Sequence, residues 1–131
     1  MVTKIVNKDT DKTFDGPSAE ALQTAYDVLD IFRSSRETMP VQLAQSLLLV
    51  ALNEGASLRD LQAKTQWSMS TMSRHLLDLG VRDRRMEPGL DLITMRQNPD
   101  QLRSNEYRLS KKGRELLARI VKTMDRYKER S

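Results

Sequence analysis
The sequence predicts a mainly helical chain with one small β-hairpin, and three observations lead there. Apolar residues recur at helical spacing in five separate stretches, two of them toward the ends of the chain. Between residues 90 and 109 that spacing stops, and the runs LDLITMRQ and NEYRL, on either side of the polar tip NPDQLRS, read as antiparallel strands. The composition, 38% apolar and 31% charged, suits a helix-rich globular domain rather than a disordered one. At 131 residues this is one domain, residues 18–131, preceded by an arm over residues 1–17.

The arm, MVTKIVNKDTDKTFDGP, is polar and ends in Gly-Pro, with a short strand expected at Val2–Val6. Ser18 reads as the cap of a helix over about 18–35, with Leu22, Ala25, Tyr26, Leu29 and Phe32 at helical spacing. Val28 and Ile31 widen its apolar stripe beyond one core contact, as in helices that also serve an oligomer. Thr38 reads as the next cap, with Pro40 in the first turn. The helix VQLAQSLLLVALNE follows, apolar nearly all round, expected to be central and buried and to stop at Gly55. Ser57 caps a short third helix, LRDLQAKT, with Leu58 and Leu61 inward.

The stretch SMSTMSRHLLDLG, residues 68–80, is the informative one. Ser68 reads as its cap, and Trp67 can pack on Met72 as a hydrophobic staple. At 100° per residue Met69, Met72, Leu76 and Leu79 share one side. Ser70, Thr71, Arg74 and Asp78 share the other, with His75 at the border. Serine and threonine are mediocre helix formers, so helix stability does not account for that outer face. VRDRRMEPG then makes an arginine-rich link, and after the hairpin a helix over about 111–128 carries Leu116, Leu117, Ile120, Met124 and Tyr127. The methionines read as core filler.

Two short helices joined by a tight turn, the second with a polar face, followed by a basic hairpin, make a winged helix-turn-helix. Charge agrees: residues 1–56 carry 5 basic and 8 acidic groups, net −3, and residues 57–131 carry 17 and 10, net +7. A basic second half suits a polyanion surface. A helix of this width enters the major groove of duplex DNA, where small hydroxyls allow close approach and a guanidinium reaches base edges and phosphates. On this reading Ser68, Ser70, Thr71, Arg74 and His75 face DNA. His75 can equally be bonded to a neighbour. Arg82, Arg84 and Arg85 can face phosphates, pair with Asp83 and Glu87, or stay in solvent.

The run LLLVALNEGASLRDLQAKTQWSMSTMSRHLLDL, with STMSR within it, and the later LITMRQNPDQLRSNEYRLSKKG resemble the MarR family of bacterial transcription regulators. The likeness spans about residues 38–117. STMSR stands for that family's Ser-Thr-Val-Ser/Thr-Arg, and LSKKG for its Leu-Thr-x-x-Gly. The resemblance implies a dimeric, sequence-specific duplex-DNA-binding regulator, most often a repressor. Helix 68–80 would lie in the major groove and wing 90–109 on the flanking backbone or minor groove. It makes Arg103 a wing-tip DNA contact, while Gln101 stands where the family usually has the aspartate that orients wing arginines. It also implies that the terminal helices pair across a two-fold axis, through Leu22, Tyr26, Leu29, Leu116, Ile120 and Met124. A small-molecule effector belongs to many such regulators, but no residue here points to one. The alternative is a winged-helix adaptor in a replication or assembly complex, its polar face meeting protein.

No enzyme is expected, nor any cofactor or metal. There is a single histidine, no cysteine and no glycine-rich phosphate loop, and the acid pairs Asp27/Asp30 and Asp9/Asp11 have no base beside them. Lack of cysteine also excludes disulfides and thiol switches. The longest apolar run, Leu47–Leu52, is too short for a bilayer, and the arm lacks the apolar core of an export signal. A cytoplasmic location is the corresponding expectation.

Overall fold
The computed structural model describes residues 13–83, 85–98, 100 and 104–130, with the side chain of Arg130 excepted. The strand expected at Val2–Val6, and Arg84, Gln101 and Arg103, lie outside the described residues. The elements are α1 (Gly16–Arg33), α2 (Val41–Leu52), α3 (Leu58–Ala63), α4 (Met69–Leu79), β1 (Ile93–Gln97), β2 (Asn105–Leu109) and α5 (Lys111–Arg130). They fall into two compact units, one of residues 38–115 and one of α1 with α5 from Leu116 onward.

In the unit of residues 38–115, α4 packs on α2 and α3, and β2 packs on the same two helices. The core is Leu43, Ala44, Leu47 and Val50 of α2, Leu61 of α3, Met72, Leu76 and Leu79 of α4, and Leu92, Ile93 and Leu109 at the base of the hairpin. Burying a side chain of this size is worth about 2 kcal/mol, so the helices hold their places through this shared interior. Ser46, fully buried among them, is satisfied by the Gln42 carbonyl at 2.8 Å. The hairpin pairs antiparallel from Ile93 opposite Leu109 to Gln97 opposite Asn105.

In the other unit Ile31, Phe32, Leu116, Leu117 and Ile120 are buried. Leu22, Leu29, Val121 and Met124 are between 43% and 58% exposed. An open cleft of about 510 Å³ separates the two helices, lined by Asp27, Asp30 and Ser34 on one side and by Arg119, Lys122 and Arg126 on the other. No helix among the described residues is long and apolar enough to cross a membrane.

Several expectations need correction. The first helix begins at Gly16, with Pro17 in its first turn, rather than at Ser18; a proline needs no intrahelical donor there and has the right φ already. The second begins at Val41, and Pro40 rather than Thr38 is its cap. Proline disfavours helical geometry in the residue before it, so Met39 cannot extend the helix backward. It ends at Leu52, and Gly55 lies three residues beyond, at φ +94°. Nor is α2 buried all round, since Val41 and Leu52 are exposed. Met69 is 40% exposed rather than buried, because it opens α4 one turn ahead of Met72, where the helix end projects. The strand of LDLITMRQ starts only at Ile93. Leu90, Asp91 and Leu92 instead bond through their N–H groups to the carbonyls of Asp78, Gly80 and Leu79, tying the chain to the end of α4.

Gly113 explains the glycine of LSKKG. A β-carbon there would overlap the Leu92 carbonyl, which already accepts the Ser110 N–H at 3.0 Å. The Ser110 hydroxyl in turn accepts from Gly113 N–H at 2.9 Å, capping α5. Gly113→Ala should therefore lower stability by about 2 kcal/mol or more. Gly80→Ala, whose added carbon would meet only ordinary contacts at 3.5 Å, is the control and should leave the melting temperature nearly unchanged. Thermal denaturation followed by circular dichroism checks both.

Candidate nucleic-acid interface
The turn between α3 and α4 is built by side chains rather than by glycine. Ser57 and Asp60 form a reciprocal capping box at the start of α3. Gln62 near its end donates from Nε2 to the Trp67 carbonyl at 2.9 Å. The Thr65 hydroxyl donates to the Gln62 carbonyl and accepts from Trp67 N–H. These bonds pin the connection from which α4 leaves.

Ser68 caps α4, its Oγ accepting the Thr71 N–H at 3.1 Å. The same hydroxyl donates to Thr71 Oγ1 at 3.0 Å and lies 3.1 Å from Ser70 Oγ. A serine has one hydroxyl proton, so Ser70 must donate to Ser68. The Thr71 proton is then the one not used among the three hydroxyls. Met72, Leu76 and Leu79 are buried on the opposite side. Ser70 and Arg74 are exposed, Thr71 is half-buried, and Arg74 has no hydrogen bond or ion pair among the described residues. Sequence periodicity had placed these three on one outward face, and that is where they stand.

His75 is differently engaged. Its Nε2 lies 3.1 Å from Gln42 Oε1 at the start of α2, and its ring meets Trp67 edge-on, centroids 5.6 Å apart. The neighbour reading of His75 thus has its partner in Gln42, and Trp67 packs with His75. Of the six residues named for DNA contact, Ser68 caps α4, Ser70, Thr71 and Arg74 face outward, His75 meets Gln42 and Trp67, and the wing residue Arg103 lies outside the described residues.

The wing joins this assembly at its base. Gly55 N–H donates to the Tyr107 carbonyl at 2.8 Å, and Tyr107 N–H to the Ala56 carbonyl at 3.0 Å, so Ala56 forms a single antiparallel bridge to β2. Glu54 Oε2 accepts from Leu109 N–H at 3.1 Å and from the Arg114 guanidinium at 2.7 Å. Burial raises the Tyr107 pKa above its ordinary value, so the phenol stays protonated at neutral pH. On the outer wing, Glu106 lies 3.7 Å from Arg96 and 3.6 Å from Arg108. Sequence reasoning missed this bridge and both glutamates, because none of these contacts has a local pattern.

The arginine-rich link folds as a miniature hairpin. Asp83 Oδ1 accepts from the Arg85 and Glu87 N–H groups, Arg82 bridges to Pro88, and Met86 takes φ +63°. Arg82 donates to the Met86 carbonyl at 3.2 Å. Among the described residues no group of three or more His, Cys, Asp or Glu side chains could hold a metal ion.

No protein-family model and no curated protein matches the chain. Solved structures do. It is similar to a MarR-family transcription regulator at 26% identity, covering 82% of this chain and 70% of that one, with a TM-score of 0.56. It is similar to S. aureus MepR in its DNA complex at 20% identity, over 85% and 81% of the two chains, with a TM-score of 0.61. The repressor CouR, bound to a 23-mer DNA duplex, matches at 24% identity over 84% and 71%, with a TM-score of 0.57.

Since Ser68 is a cap, Ser68→Ala should cost about 1 kcal/mol in chemical denaturation. Ser70→Ala, on the exposed face, should stay within about 0.5 kcal/mol of the wild type. The architecture built above, helix-turn-helix, wing and terminal helices, is the winged helix-turn-helix fold of the MarR-family transcription regulators.

Proposed function
We propose that this chain is a sequence-specific, duplex-DNA-binding transcription regulator of the MarR type, acting as a dimeric repressor. In this reading α4 enters the major groove and the wing lies on the flanking backbone or minor groove. The observation that carries it is the outward face of α4. Ser70, Thr71 and Arg74, the last unpartnered among the described residues, stand together on a helix whose other side is sealed by Met72, Leu76 and Leu79. Small hydroxyls permit close approach, and a free guanidinium can reach guanine O6 and N7 or a phosphate. The net charge of +7 over residues 57–131 favours the same partner. MepR and CouR, similar in fold, were both solved on DNA.

The dimer is supported by the terminal helices. Leu22, Leu29 and Met124, proposed to meet a partner, are exposed in the single chain, Tyr26 is half-buried, and Val121 adds to the same apolar surface. Leu116 and Ile120 are already buried, so in this reading they back the interface rather than form it. Between α1 and α5, joined by the Arg119 guanidinium donating to Ser34 Oγ at 3.2 Å, a cleft remains that a second copy could complete as in a larger bundle.

A selection from a random duplex library at near-physiological salt tests the function directly. Enrichment of an inverted repeat with half-sites roughly one helical turn apart is expected. Absence of enrichment by folded protein would favour the adaptor reading, in which the same face meets a protein. On the enriched site Arg74→Ala should cost about 1–3 kcal/mol and relax the preference at one position, leaving non-cognate binding little changed. Leu22→Glu with Leu29→Glu should yield a folded monomer by sedimentation, with weakened operator binding.

A further inference from the structure
The wing carries a charge arrangement that neither the helical face nor the hairpin tip accounts for. Arg96 and Glu106 are direct cross-strand partners, and Arg108, two residues on from Glu106, shares their face. One carboxylate oxygen, Glu106 Oε2, serves both guanidiniums, at 3.7 and 3.6 Å. The Glu106 side chain is 16% exposed, whereas Arg96 is 72% exposed and Arg108 42%. The acid thus sits sunken between two cations that reach past it into solvent.

Arg108 is confined from another direction as well. Its guanidinium lies over Gly55, where even a β-carbon would come to 3.0 Å from Nη2, and its Nε is buried with no hydrogen-bond partner among the described residues. The backbone beneath cannot shift to relieve this, because Tyr107 is laddered to Gly55 and Ala56. Both ion pairs are longer than a good hydrogen bond and partly exposed, so neither contributes much to stability. What the arrangement fixes is position. It keeps two mutually repelling guanidiniums on one face of the wing and lends Arg96 a preferred direction.

We propose that Glu106 is a positioning residue for duplex recognition, placing Arg96 and Arg108 so that the wing's cations meet the phosphate backbone in one register only. This rests on the reading of the chain as a DNA-binding regulator. Each phosphate that approaches Arg96 competes with Glu106 and is repelled by it. Non-cognate complexes bear that cost without compensation. The cognate complex offsets it, because the arginine is already aimed where its phosphate lies. The carboxylate therefore lowers affinity for DNA in general and raises the ratio of cognate to non-cognate binding.

The test compares wild type, Glu106→Gln, Arg96→Gln and the double variant on the selected operator and on an unrelated duplex, across a salt series. Glu106→Gln should strengthen binding to the unrelated duplex and steepen its log–log salt slope by about 0.9, one more phosphate contact. The cognate to non-cognate ratio should fall by about fivefold, the scale of two weak ion pairs. That loss should vanish when Arg96 is already glutamine. A merely structural role would lower the melting temperature and weaken both complexes together, leaving ratio and slope unchanged, and would overturn the proposal. So would an unchanged ratio with a selective wild type, which leaves the regulator reading standing. A wild type with no selectivity on any duplex would overturn both.

Discussion
Two strands alone make a poor structural element, because a lone hairpin has too little buried surface to hold its place. Here the wing is rescued at Tyr107, whose backbone N–H and carbonyl are both taken by the two residues that follow α2 by a short step, Gly55 and Ala56. That ladder carries the position of α2 into β2. The capping box at Ser57 starts α3 immediately afterward, and the Gln62 bond to the Trp67 carbonyl sets the departure of α4. Polar helix and hairpin therefore belong to one frame, and neither can move without disturbing the same few backbone bonds. Gly55 is needed at its center for two reasons: its φ of +94° and the arginine lying across it.

In the unit of residues 38–115 the acids do the arranging. Glu54, two residues beyond α2, gathers the last strand residue and the first turn of α5 onto one oxygen. Asp83 turns the arginine-rich link back on itself through two backbone N–H groups. Asp60 completes the cap of α3. None is a strong stabiliser singly, since such partly exposed bonds are each worth about 1 kcal/mol or less. Their effect is to leave little freedom in the connections, which is where a winged helix would otherwise be loose.

Much of this was legible beforehand. The buried stripe Met72, Leu76, Leu79 has a period that only a helix satisfies, and Ser68 and Ser57 are caps whose role follows from side-chain chemistry. Both strands were placed, and so were the outward residues Ser70, Thr71 and Arg74. What failed was of two kinds. Helix ends moved where proline dictated the start, at Pro17 and Pro40, because a strong local constraint outranked a weaker capping preference. Long-range contacts were invisible. Nothing in the sequence near His75 announces Gln42, thirty-three positions away, and nothing near Glu54 announces Leu109 and Arg114. A periodic pattern reports which face is wet, not which neighbour a polar group has found.

The hydroxyl chain at the start of α4 bears on what kind of chemistry this surface can read. Ser70 spends its proton on Ser68, and Ser68 spends its own on Thr71, so outward donation falls to Thr71 and to the guanidinium of Arg74. Such a face is rich in protons to give and poor in charged acceptors to receive them. Set in a major groove, it is matched to N7 and O6 of guanine and to O4 of thymine, and mismatched to the exocyclic amino groups of cytosine and adenine. The helix would then favour guanine- and thymine-bearing steps on one strand. Its bias would come from the direction in which three adjacent hydroxyls pass on their hydrogen atoms.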